Sequence, residues 1–240
     1  MSLSNIGEIM KTRIVLITLI VFLASGFVFA QEHKMVKFQM AIMKRGPKWD
    51  ATAEAERNQI LHQHLRNVIA MLQSGKAVAA GPFDSESEVR GLFILRAASP
   101  EEAKTWVDAD PAVKAGLLVG EMHSWLSEDI FGKASMPLDM KTVYFGFLKK
   151  GPNRKAGDDQ TPEVQELQKA HLANIMRLGA TKKLVMAGPF DEDGDLRGVF
   201  VFRVDSLKEA QELAATDPMI KIDRLRIELY PWQVPVGVIP

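Results

Sequence analysis

Two hydrophobic patterns alternate along most of this chain. Short apolar-rich runs stop at Gly-Pro, and longer stretches carry an apolar residue every three or four positions. Met35 to Met43 and Thr142 to Leu148 are runs of the first kind, closed by Gly46-Pro47 and Gly151-Pro152, and they predict strands. A helix is predicted next: Leu61, Leu65, Val68 and Leu72 share one helical face, and in the later stretch Thr161 before Pro162 marks a helix start. Ala77 to Ala80 and Leu184 to Ala187 read as second strands, and the segments opening at Arg90-Gly91 and Arg197-Gly198 as third strands. Ser99-Pro-Glu-Glu102 and Ser206-Leu-Lys-Glu209 are capping boxes that begin a second helix. Asp110-Pro111 and Asp217-Pro218 close it, and Leu117 to Trp125 and Arg226 to Trp232 form last strands, with the two tryptophans read as packing residues.

The two series are copies of each other. Gly81-Pro82-Phe83-Asp84 returns as Gly188-Pro189-Phe190-Asp191, 107 positions on, and the same offset joins His64 to His171, Asp110 to Asp217, Glu121 to Glu228 and Trp125 to Trp232. Upstream the offset is 105, which puts a two-residue insertion in a loop before the second histidine. The order within a copy is β-α-β-β-α-β, an α+β ferredoxin-like domain. One such sheet leaves a face uncovered, so the two copies are expected to pack their sheets together as an internal pseudo-dimer. The expected domains are 31–126 and 140–240, with a linker at 127–139; further homo-oligomerisation is left open.

Ahead of the first copy, Lys11 and Arg13 precede an apolar run from Ile14 to Leu23 and small residues through Ala30. That is the layout of a signal peptide over residues 1–30, with cleavage expected before Gln31 and Met10 as a candidate true start. The run is short for a membrane span and polar residues follow at once, so no stable anchoring is expected after cleavage, and the mature chain is expected in the periplasm or secreted. The chain has no cysteine, which removes disulfides, thiolate nucleophiles and thiolate metal ligands. Thirty basic residues balance thirty acidic ones, so the positive field that nucleic-acid binding needs is missing.

The chemistry repeated in both copies is one histidine on the first helix and one Asp-Pro after the second. Structural readings exist for each. His64 has Ile60 and Val68 a turn away, and His171 has Leu167 and Ile175, the setting of a packed core histidine. Asp before Pro is also a helix cap. The functional reading is that imidazole titrates near neutrality and that a carboxylate on one ring nitrogen would fix its tautomer. His62 and His64 point in different directions on a helix, so no metal is expected. Arg90 and Arg197 are weaker candidates for holding an anionic ligand. Positive charge beside the first Gly-Pro loops, from Lys44, Arg45 and Lys48 and from Lys149, Lys150, Arg154 and Lys155, could steer anions.

With His64 in Gln63-His64-Leu65, the Gly-Pro after strand two, and Asp110-Pro111-Ala112-Val113-Lys114-Ala115-Gly116, the chain resembles the YCII-related (YciI-like) family, in two copies covering nearly all of the mature chain. The resemblance implies ferredoxin-like domains paired as a dimeric α/β barrel. It also implies an enzymatic role for the histidine and aspartate, here His64 with Asp110 and His171 with Asp217. One relative is a dehydrochlorinase of a chlorinated hydroxylated aromatic, and the wider fold includes muconolactone isomerases. Copy two departs from the pattern, reading Met219-Ile220-Lys221-Ile222-Asp223 after its Asp-Pro and Ala170 in place of Gln63. Two functions of different class fit these residues. One is a cofactor-independent lyase, isomerase or dehydrohalogenase acting on a small, anionic or aromatic molecule. The other is a non-catalytic envelope binding or scaffold protein in which the pair is structural or relict.

Overall fold

The computed structural model describes residues 34–239; the leader expected over residues 1–30 lies outside them. Copy one runs β1 (Met35–Arg45), α1 (Glu54–Gln73), β2 (Ala77–Pro82), β3 (Val89–Leu95), α2 (Pro100–Asp108), α3 (Pro111–Lys114) and β4 (Leu118–Glu128). Copy two runs β5 (Met140–Lys150), a short 3-10 turn (Asp158–Gln160), α4 (Pro162–Ala180), β6 (Leu184–Pro189), β7 (Leu196–Phe202), α5 (Leu207–Ala214), α6 (Pro218–Lys221) and β8 (Leu225–Pro235). Each copy forms one antiparallel four-stranded sheet, in the orders β2-β3-β1-β4 and β6-β7-β5-β8. This is the ferredoxin-like α+β arrangement that the patterning predicts.

The strands alternate their side chains between two buried layers, as the period of two requires. Phe38, Met40 and Ile42 of β1 face the other copy, whereas Ala41 and Met43 face the helices of their own copy. The layer between the sheets is shared: Phe38, Phe83, Leu92 and Trp125 pack with Phe145, Phe147, Val199 and Trp232. Each copy also has its own layer under its helices. The second face that neither sheet can cover alone is therefore covered by the other, as a dimeric α/β barrel within one chain.

The sheet edges meet across the copies. Phe83 bridges to Trp232 and Phe190 to Trp125. The Asp84 amide donates to the Pro231 carbonyl at 2.9 Å, and the Asp191 amide donates to the Ser124 carbonyl at 2.8 Å. Trp125 Nε1 donates to the Gly188 carbonyl and Trp232 Nε1 to the Gly81 carbonyl, both at 3.1 Å. Gly81 and Gly188 permit this approach, because a Cβ there would meet the Gln233 or Leu126 carbonyl oxygen at 1.8 or 1.9 Å. The last strands run further than the patterning predicts, to Glu128 and Pro235. Pro231 and Pro235 can sit in β8 because it is an edge strand among the described residues, with a full ladder to β5.

Candidate active site

The Asp-Pro element of copy one explains the site. The patterning makes Asp110-Pro111 the end of the second helix; instead α2 stops at Asp108 and Asp110 caps a separate one-turn helix, α3, with Pro111 in its first turn. Asp110 Oδ1 accepts the Ala112 amide at 2.8 Å, and Oδ2 accepts Asn67 Nδ2 at 2.8 Å and lies 2.8 Å from His64 Nδ1. The cap and the histidine partner, alternatives in the sequence, are the two oxygens of one carboxylate. It is 1% exposed. Burial pushes its pKa up. The hydrogen bond and charge of His64, with the hydrogen bonds from Asn67 and the Ala112 amide, together outweigh that and hold the carboxyl below the ordinary aspartate value.

That depression fixes the sign of a pH effect. A carboxylate with a lowered folded-state pKa contributes stability that is fully present above its unfolded value, about 3.9, and is lost as pH falls through the folded value. Asn caps a helix about as well as Asp, so Asp110→Asn removes chiefly the charge. The variant is expected to be less stable than wild type by on the order of 1–3 kcal/mol at pH 7. Urea unfolding should show the gap narrowing below about pH 4; a gap that ignores pH would leave Asp110 as a cap alone.

Copy two repeats the pair with tighter burial. His171 Nδ1 lies 2.6 Å from Asp217 Oδ2, and Asp217 Oδ1 accepts the Met219 amide at 2.9 Å as the cap of α6. The third donor is lost: Asn174, the counterpart of Asn67, has its Oδ1 occupied by Arg177 and Thr216, and its buried Nδ2 has no partner. The ring is also turned. His171 stacks on Phe200 at 18°, whereas His64 meets the corresponding Phe93 edge-on at 81°.

The surroundings separate the copies further. His64 lines a cavity of about 490 Å³, walled by Trp49, Leu61, Val68, Phe93 and Arg90 of copy one and closed by Leu138, Met140 and Pro235. Leu65, on the predicted apolar face of α1, lines the same cavity and stays half exposed. A second cavity, of about 360 Å³, lies near Arg154, Gln168 and Met219, and His171 does not line it. Of the two arginine candidates, Arg90 lines the larger cavity, while Arg197 pairs with Asp193 at 3.4 Å. Asn67 was missed in the sequence although a signal exists there: asparagine falls three residues after each histidine, in the repeat register, and so on the same helix face.

Both segments match the YCII-related domain, over residues 39–122 and 148–233. A curated relative, the uncharacterized protein YjpA of Bacillus subtilis (strain 168), is 33% identical over 70 residues, 29% of this chain and 80% of the relative. Among solved structures, a mutant chlorite dismutase from Candidatus Nitrospira defluvii is similar with a TM-score of 0.53 at 13% identity, covering 84% of this chain and 92% of that one. A heme-binding protein from Thermus thermophilus is similar with a TM-score of 0.50 at 14% identity, again covering 84% and 92%. At such identities the structural likeness is one of fold. With two matched segments that account for most of its length, the chain belongs to the YCII-related domain family and carries the domain twice.

Proposed function

We propose that copy one is a small-molecule enzyme of the proton-transfer class, a lyase, isomerase or dehydrohalogenase, with His64 as the acid-base residue and Asp110 as its positioning partner. One observation carries the reading: a cavity-lining imidazole is held through Nδ1 by a buried carboxylate that is itself fixed by hydrogen bonds from Asn67 and the Ala112 amide. With Asp110 ionised, Nδ1 carries the proton of the neutral ring and Nε2 is the base. Nε2 takes the proton of a C–H acid, leaving the electron pair on carbon, and the imidazolium that forms is stabilised by Asp110. Return of the proton at another carbon is isomerisation. Expulsion of a β leaving group by the same electron pair is elimination.

The test is deuterium exchange from D2O, or release of halide, with a panel of small 2-oxo acids, lactones and β-halo acids followed by NMR. The protein should turn over at least one of them, and His64→Gln should not. A panel left untouched would put a binding protein without chemistry in the enzyme's place.

Export belongs to the same reading, supported by the basic residues, the apolar run and the small residues that precede Gln31. The protein from its native host is expected to start at Gln31 and to be periplasmic or secreted. Intact-mass measurement checks this, and a mature chain that retains Lys11 to Ala30 would overturn it.

A further inference from the structure

We infer that the copy-one cavity takes a small carboxylate with an apolar body, its carboxylate anchored by arginines gathered around Trp49; this rests on reading the cavity as the substrate site. Trp49 lies in the loop after β1 and lines the cavity. The guanidinium carbons of Arg45, Arg57 and Arg90 lie 5.6, 5.6 and 5.4 Å from the centroid of its ring. They arrive from the end of β1, the first turns of α1 and the start of β3. A cation over an aromatic face gains little at a partly exposed site, and three like charges on one ring oppose one another.

The surroundings do little to neutralise them. Arg57 donates to the carbonyls of Trp49 and Thr52, at 3.1 and 3.2 Å, and Arg90 donates to the carbonyl of Ser85 at 2.6 Å. Among the described residues, the carboxylate in ion-pair range of the three is that of Glu86, 4.0 Å from Arg45 and fully exposed. Arg45 Nε is buried without a hydrogen-bond partner. Arg90 and Trp49 line a cavity whose other walls include Leu61, Val68 and Phe93, so excess positive charge reaches that wall through Arg90, with Arg45 and Arg57 gathered at the same Trp49 ring. A guanidinium fork matches a carboxylate in shape and charge, and the apolar walls suit a hydrocarbon body.

Copy two shows the same region with its charge satisfied. Arg154 stands in the place of Trp49 and Arg224 in the place of Leu117. Arg154 pairs with Asp159 at 2.7 Å, Arg224 is held by both Asp158 and Asp159, and Arg197 pairs with Asp193. There each guanidinium has a carboxylate from its own chain. In copy one that position is left to a ligand.

Calorimetric titration of the purified full chain with 2-naphthoate, neutral 2-naphthamide and 2-naphthyl phosphate tests this. The naphthoate is expected to bind at least about tenfold more tightly than the amide, a comparison that needs no variant. The preference should be lost in Arg90→Gln and in Arg45→Gln and retained in Lys104→Gln, which removes an equal charge at an exposed position of α2. Equal binding of the acid and the amide would overturn the inference, as would a preference that survives both arginine substitutions. Tighter binding of the phosphate ester than of the naphthoate would overturn the assignment of a carboxylate. Binding and exchange fail separately: a lost preference with exchange intact overturns this inference alone, and absent exchange with the preference intact overturns the proton-transfer reading alone.

Discussion

His64→Gln is expected to lower the rate of deuterium exchange or elimination by about 10²- to 10⁴-fold, the usual contribution of a positioned general acid-base group. Glutamine keeps much of the volume and can still hydrogen-bond Asp110, so α1 and α3 should stay docked and the loss should fall on turnover. Asp110→Asn is expected to slow the reaction too, because it removes the charge that fixes the His64 tautomer and stabilises the imidazolium. The matching change at His171 is expected to leave the rate at the wild-type level, since that ring is stacked on Phe200 and does not line either cavity described above. Equal losses from His64→Gln and His171→Gln would sink the assignment to copy one. So would a His64→Gln protein that reacts like wild type.

The largest effect on stability is expected from Trp125→Ala. The side chain is fully buried between the sheets and its Nε1 satisfies the Gly188 carbonyl of the other copy. Truncating a buried tryptophan costs about 3–5 kcal/mol. Because that core belongs to both copies, calorimetry should show a single transition that moves as a unit to lower temperature in the variant. Two transitions, with only one of them displaced, would mean that the copies fold independently. Trp125→Phe refines the point: it keeps most of the packing and leaves the Gly188 carbonyl without its donor, a loss of about 1–3 kcal/mol.

The sequence was informative wherever the physics is local or repeated. Strand and helix order followed from apolar spacing, and the pairing of sheets followed from a face that one copy leaves bare. His64 and Asp110 were singled out because they recur together, and the two side chains meet. What the sequence left open was how two local facts combine. Cap and dyad are separate hypotheses until one knows that the two oxygens of Asp110 point to different partners. The arginine cluster was harder still. Arg45 and Arg90 each drew attention singly, but Arg45, Trp49, Arg57 and Arg90 come from three elements and a loop, and spacing along a chain does not bring them to one ring. The ends of β4 and β8 were set by pairing with β1 and β5 rather than by propensity, so the sequence placed them short.

The cross-copy seams, where each tryptophan bonds to the opposite copy's glycine carbonyl, make the two halves each other's support while leaving them genetically separate. In an assembly of identical subunits, any substitution is installed at every equivalent position, so a site cannot be altered without altering its twin. Here a substitution lands once. Arg154, Arg224 and the diverted Asn174 can change the chemistry of one half while the other keeps its histidine-lined chamber, and the changed half still supplies Met140 and Pro235 to that chamber's wall. Symmetry of the backbone is thereby uncoupled from symmetry of the chemistry, and one half is left free to serve as the permanent partner of the other.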